Sequence, residues 1–556
     1  MIAGCVSMAF FCLLSLKVSP LFAINDDMMI ESVLSGSYLR PYPYSYYFSA
    51  ELGWILSGLY YVLPAISWLG VFYFGCHVAC LASLLRFSLK RFEDRRMQLV
   101  ACLFVFLGMI AFCFQEFVLM HYTVLAALLG ATGLFLFAMA KDRSEFIRPI
   151  IYFLLCYLVR ENVFFMLAPF IAIAFFHLLA KNGFEKFKEY LPRGILFAML
   201  FVALFTLNRG ALSGESWRSY LEYNDVRTKV FDFLGIHSEE AALKEYEKEN
   251  VTAQDVAMIS SYDLALFSDG TGNLHALKAV EAYGEAARDS AGERLVWAVK
   301  TYVHRFFLQD DDQPLNFFVM VLYLGLFLCY VIRKRYVDIV TLISLALYRS
   351  AFWIFIFFRG RYPDRVLLSL FMMEIAFLVA MCMREILSGE SSWKHARLLK
   401  TSCLVMMAVA FLYVGICNVS DTRSLYRGQV AINRGDDLLA EYMKERPENF
   451  YFLDVYTLVG RTISVFEPTG KTKENYLLMG GWMTRHPLYL EKLAWRFDGC
   501  ENAKDALLGF KNTYLVIKEG AGASKESLEQ WIGAPLTQVD VIEGDSVRFY
   551  VFEAKE

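Results

Sequence analysis

The chain has 556 residues, of which 57% are hydrophobic and 16% aromatic, with a formal net charge of −3. Soluble globular chains are nearer 45–50% apolar, so this composition excludes an ordinary soluble protein and predicts an integral membrane protein. The 12 cysteines lie mostly inside apolar runs, without metal-ligand or disulfide spacing. No feature of the chain predicts binding to nucleic acid.

Apolar runs long enough to cross a bilayer recur along the chain. Eleven spans are predicted, near residues 3–22, 53–84, 98–114, 117–140, 147–159, 163–180, 194–208, 315–332, 337–358, 364–383 and 400–418. The first 23 residues lack a basic start and carry Lys17, so we expect a retained membrane helix rather than a cleaved signal peptide.

Basic residues set the expected orientation. They crowd five short loops, at 86–96, 141–148, 181–193, 333–335 and 384–400, and this side is predicted to be cytoplasmic. Two larger polar pieces then fall outside. The fold expected is a polytopic α-helical membrane protein with a C-terminal extracytoplasmic α/β domain, divided into a membrane module (1–208), a large external loop (209–314), a second membrane module (315–418) and the soluble domain (419–556).

An acidic pair, Asp26 and Asp27, directly follows the first apolar segment. Ionisable groups at the edge of hydrocarbon are costly and often functional. One alternative is a helix cap, because Asn25 or Asp26 could cap a helix that starts near Met28. The tyrosines that follow, at 38–47, indicate either an interfacial aromatic belt or a platform for a sugar ring or prenyl chain.

Three further turns on the same side carry polar groups. Gln115-Glu116 contains an acid that could transfer protons, and His121 lies about one helical turn further on. Arg160 could pair with Glu161 or reach a phosphate, and both interpretations stay open. Arg359, Arg361 and Arg365 form an arginine cluster that favours a phosphate ligand, although cations that anchor helix ends would give the same pattern.

This inventory suits transfer of a sugar from a lipid phosphate. A carboxylate takes the proton of the acceptor hydroxyl, and cations stabilise the leaving phosphate. The layout resembles the GT-C superfamily of polytopic glycosyltransferases, such as protein O-mannosyltransferases and aminoarabinose transferases. The resemblance rests on the acidic pair in the first external loop, the many spans and the C-terminal soluble piece.

The resemblance implies roles for individual residues. Asp26, Asp27 and Glu116 match the acidic motifs and would be catalytic, while Arg359, Arg361 and Arg365 would bind the donor phosphate, with Arg160 and His121 as further contacts. Asp26 and Asp27 could also hold a divalent metal, Mg or Mn. The stretch 220–227 resembles a feature of uncharacterised members and has no assigned role, and Trp482, Arg485 and His486 are candidate sugar contacts.

The implied partners are a polyprenyl-phosphate sugar, a glycan, lipid or protein acceptor, and membrane lipids. The expected location is a bacterial inner membrane with an extracytoplasmic active site. The alternatives are a lipid-linked glycan flippase, a ligase-type transferase of another fold, and a non-catalytic membrane scaffold. A flippase needs charges within its spans, where the chain has Lys17 and Glu374.

Overall fold

A computed structural model describes the chain apart from residues 142, 184–186, 268–269, 309–313, 388–395, 546 and 555–556. Of the basic residues counted in the predicted cytoplasmic loops, Lys186 and Lys394 lie outside the described residues. Within the described part, nine helices are long and apolar enough to cross a membrane. The fold is therefore mostly helical and multi-pass in character.

The helices up to the large loop alternate with very short strands. They are α1 (Ile2–Lys17), β1 (Leu21–Phe22), α2 (Asn25–Ser35), α3 (Ala50–Val62), α4 (Trp68–Arg91), α5 (Arg95–Val118), β2 (Leu119–Met120), α6 (Tyr122–Met139), α7 (Ile147–Val159), α8 (Glu161–Asn182) and α9 (Phe187–Ala211).

The remaining helices and strands complete the chain. They are α10 (Glu215–Lys229), α11 (Glu240–Lys248), α12 (Ala253–Ser261), α13 (Gly270–Ala287), α14 (Ala291–Phe307), α15 (Leu315–Ile332), α16 (Tyr336–Arg359), α17 (Asp364–Leu387), α18 (Ala396–Lys444), β3 (Phe450–Leu453), α19 (Val455–Leu458), β4 (Tyr476–Leu478), α20 (Pro487–Arg496), α21 (Ala503–Gly509), β5 (Thr513–Lys518), α22 (Lys525–Ile532), β6 (Leu536–Glu543) and β7 (Arg548–Ala554).

The nine long apolar helices are α4, α5, α6, α8, α9, α15, α16, α17 and α18. The predicted span at 53–84 is two helices, α3 and α4, because Pro64 interrupts the run and the Ser67 hydroxyl caps α4 by accepting from the Gly70 N–H (3.3 Å). The predicted spans at 3–22 and 147–159 correspond to α1 and α7, of 16 and 13 residues. Both are shorter than the roughly 20 residues of a full crossing.

The central helix of the bundle is α6. It packs against α17 and α7, and nearly all its side chains are buried. The 49-residue α18 runs along α5 and then continues past the bundle, where Leu439 and Met443 pack on the C-terminal sheet. The predicted boundary between residues 418 and 419 therefore falls inside one continuous helix.

The C-terminal sheet has five strands in the order β4-β3-β5-β7-β6. Strands β3, β4 and β5 are parallel, and β7 runs antiparallel to β5 and β6. This region touches the start of α4, where a Cβ on Gly70 would lie 1.7 Å from the Val465 carbonyl oxygen. We call the end of the bundle nearest this sheet the sheet-side end.

Candidate functional site at the sheet-side end of the bundle

A two-residue parallel ribbon brings the two acidic segments together. Leu21 pairs with Leu119 and Phe22 with Met120, and the Ala23 N–H donates to the Met120 carbonyl (2.8 Å). The acidic pair follows β1 directly, whereas Glu116 lies just before β2 and His121 just after it. Sequence positions about ninety apart thereby meet at one point of the fold.

Asp27 is fully buried. Its Oδ1 accepts from the Tyr73 hydroxyl (2.9 Å) and from the Tyr122 N–H (3.0 Å), while Oδ2 has no hydrogen-bond partner among the described residues. Burial raises the pKa of this carboxyl well above its ordinary value, and the two hydrogen bonds oppose that rise. Asp27 therefore fixes the first turn of α2 against α4 and α6.

Asp26 is partly exposed. The Trp482 side chain lies near it, and Arg365, Arg160 and Arg227 are near enough for their charges to act on it. Burial raises the pKa of Asp26, and the three guanidinium groups oppose part of that rise. Neither Asn25 nor Asp26 caps α2, because the helix begins at Asn25 and no side chain bonds its first N–H groups.

Glu116 and His121 are linked through the backbone. Glu116 Oε1 accepts from the His121 N–H (3.1 Å), and His121 Nδ1 caps α6 by accepting from the Thr123 N–H (3.0 Å). The pKa of His121 lies well below its ordinary value, mainly because the ring is buried and also because the charges of Arg365 and Arg160 lower it. The ring is therefore neutral with its proton on Nε2, a donor that has no partner among the described residues.

A cavity of about 480 Å³ opens beside these groups, between α5, α15, α17 and α18. Its polar lining consists of Gln115, Glu116, His121, Asp364, Arg365, Asn418, Asp421 and Gln429. A second cavity, of about 170 Å³ and almost wholly apolar, lies among α4, α5, α6, α17 and α18, and Phe112 lines both cavities. A polar chamber thus adjoins an apolar one within the helix bundle.

The arginines predicted to bind phosphate divide into two groups. Arg365 lines the polar cavity. Arg359 and Arg361 instead contact the segment between the membrane modules, where Arg359 lies over the Phe233 ring (4.7 Å) and Arg361 forms an ion pair with Asp232. Both partners belong to a single π-helical turn, Val230–Leu234, so these two arginines hold that segment to the end of α16.

Arg160 belongs to the site and Glu161 does not pair with it. The Arg160 guanidinium lies over the rings of Tyr47 (4.9 Å) and Tyr122 (5.2 Å). Glu161 instead accepts a hydrogen bond from Arg209 (2.7 Å).

Arg227 was not predicted as a site residue, and the tyrosines at 38–47 were predicted as either an aromatic belt or a platform for a sugar ring or prenyl chain. Arg227 sits in the stretch 220–227 that had no assigned role, and it is 7% exposed. The centroid of the Tyr47 ring lies 5.2 Å from that of Tyr122 and 5.1 Å from that of Trp482, so Tyr47 packs between the helix bundle and the C-terminal region. The only sequence signal was the density of tyrosine and arginine in these two segments.

The three candidate sugar contacts of the C-terminal region differ. Trp482 reaches Asp26, and Arg485 lies over the Tyr223 ring (5.9 Å). His486 is fully buried, caps α20 by accepting from the Leu488 N–H (3.1 Å), and has its pKa lowered to about 3 by burial. His486 is therefore part of the packed interior.

A metal ion would find oxygen ligands here. Asp26 and the free Oδ2 of Asp27 are hard donors of the kind that Mg²⁺ and Mn²⁺ prefer. Across the described ranges, no group of three or more His, Cys, Asp or Glu side chains is arranged to hold a metal. Any ion at this point would complete its coordination with other oxygens, such as water or substrate.

Comparisons with models of known families, with curated proteins and with solved structures found no match to this chain.

Proposed function

We propose that the chain is an integral membrane glycosyltransferase that moves a sugar from a polyprenyl-phosphate donor to an acceptor hydroxyl. The observation that carries the proposal is the convergence of Glu116, His121 and Arg365 on a polar cavity that adjoins an apolar one, with Asp26 close enough to Arg365 to feel its charge. A donor with a charged head and a long hydrocarbon tail needs both environments side by side.

The donor phosphate is assigned to Arg365 and His121. Guanidinium groups bind phosphate oxygens in a bidentate manner, and the neutral His121 Nε2–H adds a donor without adding charge. Arg359 and Arg361 are not assigned to the phosphate, because their side chains contact Phe233 and Asp232. The prenyl chain is assigned to the apolar cavity next to Phe112.

Asp26 is assigned as the general base. The acceptor oxygen forms a bond to the anomeric carbon, its proton passes to the Asp26 carboxylate, and the bond from that carbon to the phosphate oxygen breaks. Polyprenyl phosphate leaves with the electron pair, and Arg365 stabilises its charge. A Mg²⁺ or Mn²⁺ ion bound by Asp26 and Asp27 would share that charge.

The sheet-side end is proposed to face the extracytoplasmic space of a bacterial inner membrane. Helix α4 begins against the C-terminal region and ends in the basic segment 86–96, and basic residues of this kind are typical of the cytoplasmic side. A lipid-linked sugar is the natural donor there, because nucleotide sugars are absent outside the cytoplasm.

Binding of polyprenyl phosphate by the purified chain in nanodiscs tests the proposal. We expect Arg365→Gln to weaken binding about tenfold or more, since a charge-assisted hydrogen bond contributes roughly 1.5–3 kcal/mol. Arg209→Gln is the matched control, because that arginine is already neutralised by Glu161 and lies apart from the cavity. Equal binding by the wild type and Arg365→Gln, or no binding by either, would contradict the proposal.

A further inference from the structure

The surroundings of Asp26 hold more positive charge than a single phosphate monoester requires. Arg160, Arg227 and Arg365 all act on Asp26, yet none of them forms an ion pair with a carboxylate among the described residues. Three guanidinium groups therefore lie around the Asp26 carboxylate.

Arg227 is held rigidly by neutral partners. It is 7% exposed, its Nε donates to Asn224 Oδ1 (2.9 Å), its Nη2 donates to Thr228 Oγ1 (3.2 Å), and its Nη1 donates to the Tyr262 hydroxyl. A buried cation is costly unless an anion compensates it. Among the described residues these partners fix the orientation of the guanidinium without forming an ion pair with it.

Arg160 lies against two aromatic rings. It lies over Tyr47 and Tyr122, and its one hydrogen bond to the backbone, to the Tyr47 carbonyl, is long at 3.4 Å. Stacking occupies the faces of a guanidinium and leaves its N–H edge available to an oxyanion. Glu161, the nearest acid in sequence, is bonded to Arg209 instead.

Arg160 and Arg227 do not line the cavity that holds the donor-phosphate ligands. Arg365 and His121 line the polar cavity between α5 and α17, whereas neither Arg160 nor Arg227 does. Both of them lie close to Tyr47, whose ring makes an edge-to-face contact with Trp482, a neighbour of Asp26. The positive charge is therefore divided into two groups that meet at Asp26.

We propose that Arg160 and Arg227 form a second phosphate-binding site, separate from that of Arg365, which takes an additional phosphate group of the substrates. The assignment rests on the proposed function, since it names a substrate feature of the same site. The phosphate has two sources: the second phosphate of a polyprenyl diphosphate donor, or a phosphorylated acceptor.

The test compares polyprenyl monophosphate, polyprenyl diphosphate and inorganic phosphate as ligands of the full chain in phosphatidylcholine nanodiscs. If the donor supplies the second phosphate, the wild type binds the diphosphate about tenfold tighter than the monophosphate. Arg160→Gln removes that preference. If the acceptor supplies it, the wild type binds both lipids equally, and inorganic phosphate binds alongside the monophosphate in the wild type but not in Arg160→Gln.

Two further variants complete the design. Arg227→Lys keeps the charge and should retain part of the second-phosphate binding. Arg209→Gln should behave as the wild type. The proposal is overturned if the wild type shows neither a diphosphate preference nor binding of inorganic phosphate, or if Arg160→Gln retains whichever is seen. Failure of both lipids to bind would instead refute the proposed function, and the inorganic phosphate titration would still decide on the second site.

Discussion

At the scale of single residues, the two adjacent aspartates have different surroundings. Asp26 is partly exposed, contacts Trp482 and lies among arginines, whereas Asp27 is enclosed by Tyr73 and Tyr122. Only Asp26 is open to a substrate hydroxyl. Asp26 is therefore the proposed base, and Asp27 holds α2 in position.

We expect Asp26→Asn to lower sugar transfer by about 10²–10⁴-fold, because a general base contributes that much. Asp27→Asn should cost far less, since the amide oxygen can still accept from Tyr73 and Tyr122. Transfer rates of both variants, measured with the same lipid donor at saturating concentration, check the ranking. A larger loss for Asp27→Asn would place the base at Asp27.

The pH dependence of sugar transfer tests the assignment of Asp26 as the general base. A base must be deprotonated, and burial raises the pKa of Asp26, so activity should fall with decreasing pH at values above the ordinary range of an aspartate. Arg160→Gln removes a charge that lowers this pKa, and it should move the acidic limb to higher pH. An acidic limb that does not move would contradict the role of Arg160 beside Asp26.

At the scale of elements, α2 is positioned by a second buried acid, Glu31, one turn beyond Asp27. Its Oε1 accepts from the Thr469 hydroxyl (2.9 Å) and its Oε2 from the Tyr60 hydroxyl, so α2 is joined to α3 and to the C-terminal region. Burial raises the pKa of Glu31 from 4.5 to about 7. The folded protein therefore takes up a proton here between these two values.

The sign of the resulting pH effect follows from linkage. Because the folded state holds this proton more tightly than the unfolded state, stability is full below pH 4.5 and is lost as the pH rises through about 7. The difference corresponds to about 3 kcal/mol at 1.36 kcal/mol per pKa unit. Glu31→Gln mimics the protonated acid, so it should melt like the wild type at pH 5 and at a higher temperature at pH 8. A melting difference that is equal at both pH values would show that Glu31 is not the titrating group.

Hydropathy alone predicts most long helices but not the elements that build the site. The predicted spans at 163–180 and 364–383 are matched by α8 and α17, and the β-like run at 450–453 is β3. The ribbon of β1 and β2 was not predicted, because two-residue strands carry no periodicity and their partner is about a hundred residues away. The sequence also could not predict that Arg361 and Arg365 have different surroundings, because Arg361 depends on a long-range contact with Asp232.

At the scale of the whole molecule, the C-terminal region and the helix bundle meet through closely packed backbone. The Phe22 N–H donates to the Ile463 carbonyl (3.0 Å) and the Val465 N–H to the Pro20 carbonyl (3.0 Å). The same segment approaches Gly70 at the start of α4. The site is therefore completed only when the C-terminal region is docked, because that region supplies Trp482.

Two glycines of α4 test the importance of this docking. A Cβ at Gly70 would lie 1.7 Å from the Val465 carbonyl oxygen, so Gly70→Ala should displace the segment around Val465 and expose it to proteolysis. Gly75→Ala, on the same helix, has nothing within 4 Å of the new Cβ and should gain up to about 1 kcal/mol of helix propensity. Limited proteolysis of both variants in detergent compares them. Equal protection would mean that docking does not depend on this contact.

Mutation of a buried ion pair within the spans can distinguish a transferase from a flippase. Glu374 Oε1 accepts from the Tyr323 hydroxyl (2.6 Å) and lies 3.5 Å from Arg349 Nε, and both charged side chains are almost fully buried. A flippase would use such mid-span charges on its substrate path, whereas a transferase with its site at the bundle end needs them only for packing.

We therefore expect Glu374→Gln to lower stability by about 3–5 kcal/mol, because it leaves Arg349 buried without its partner. The double variant Glu374→Leu with Arg349→Met should recover most of that loss, since it removes both charges together. In the folded fraction, both variants should bind polyprenyl phosphate and transfer sugar like the wild type. If the double variant is stable but inactive, the mid-span charges act on the substrate itself. A flippase function would then explain this chain better, because the double variant would have regained stability without regaining activity.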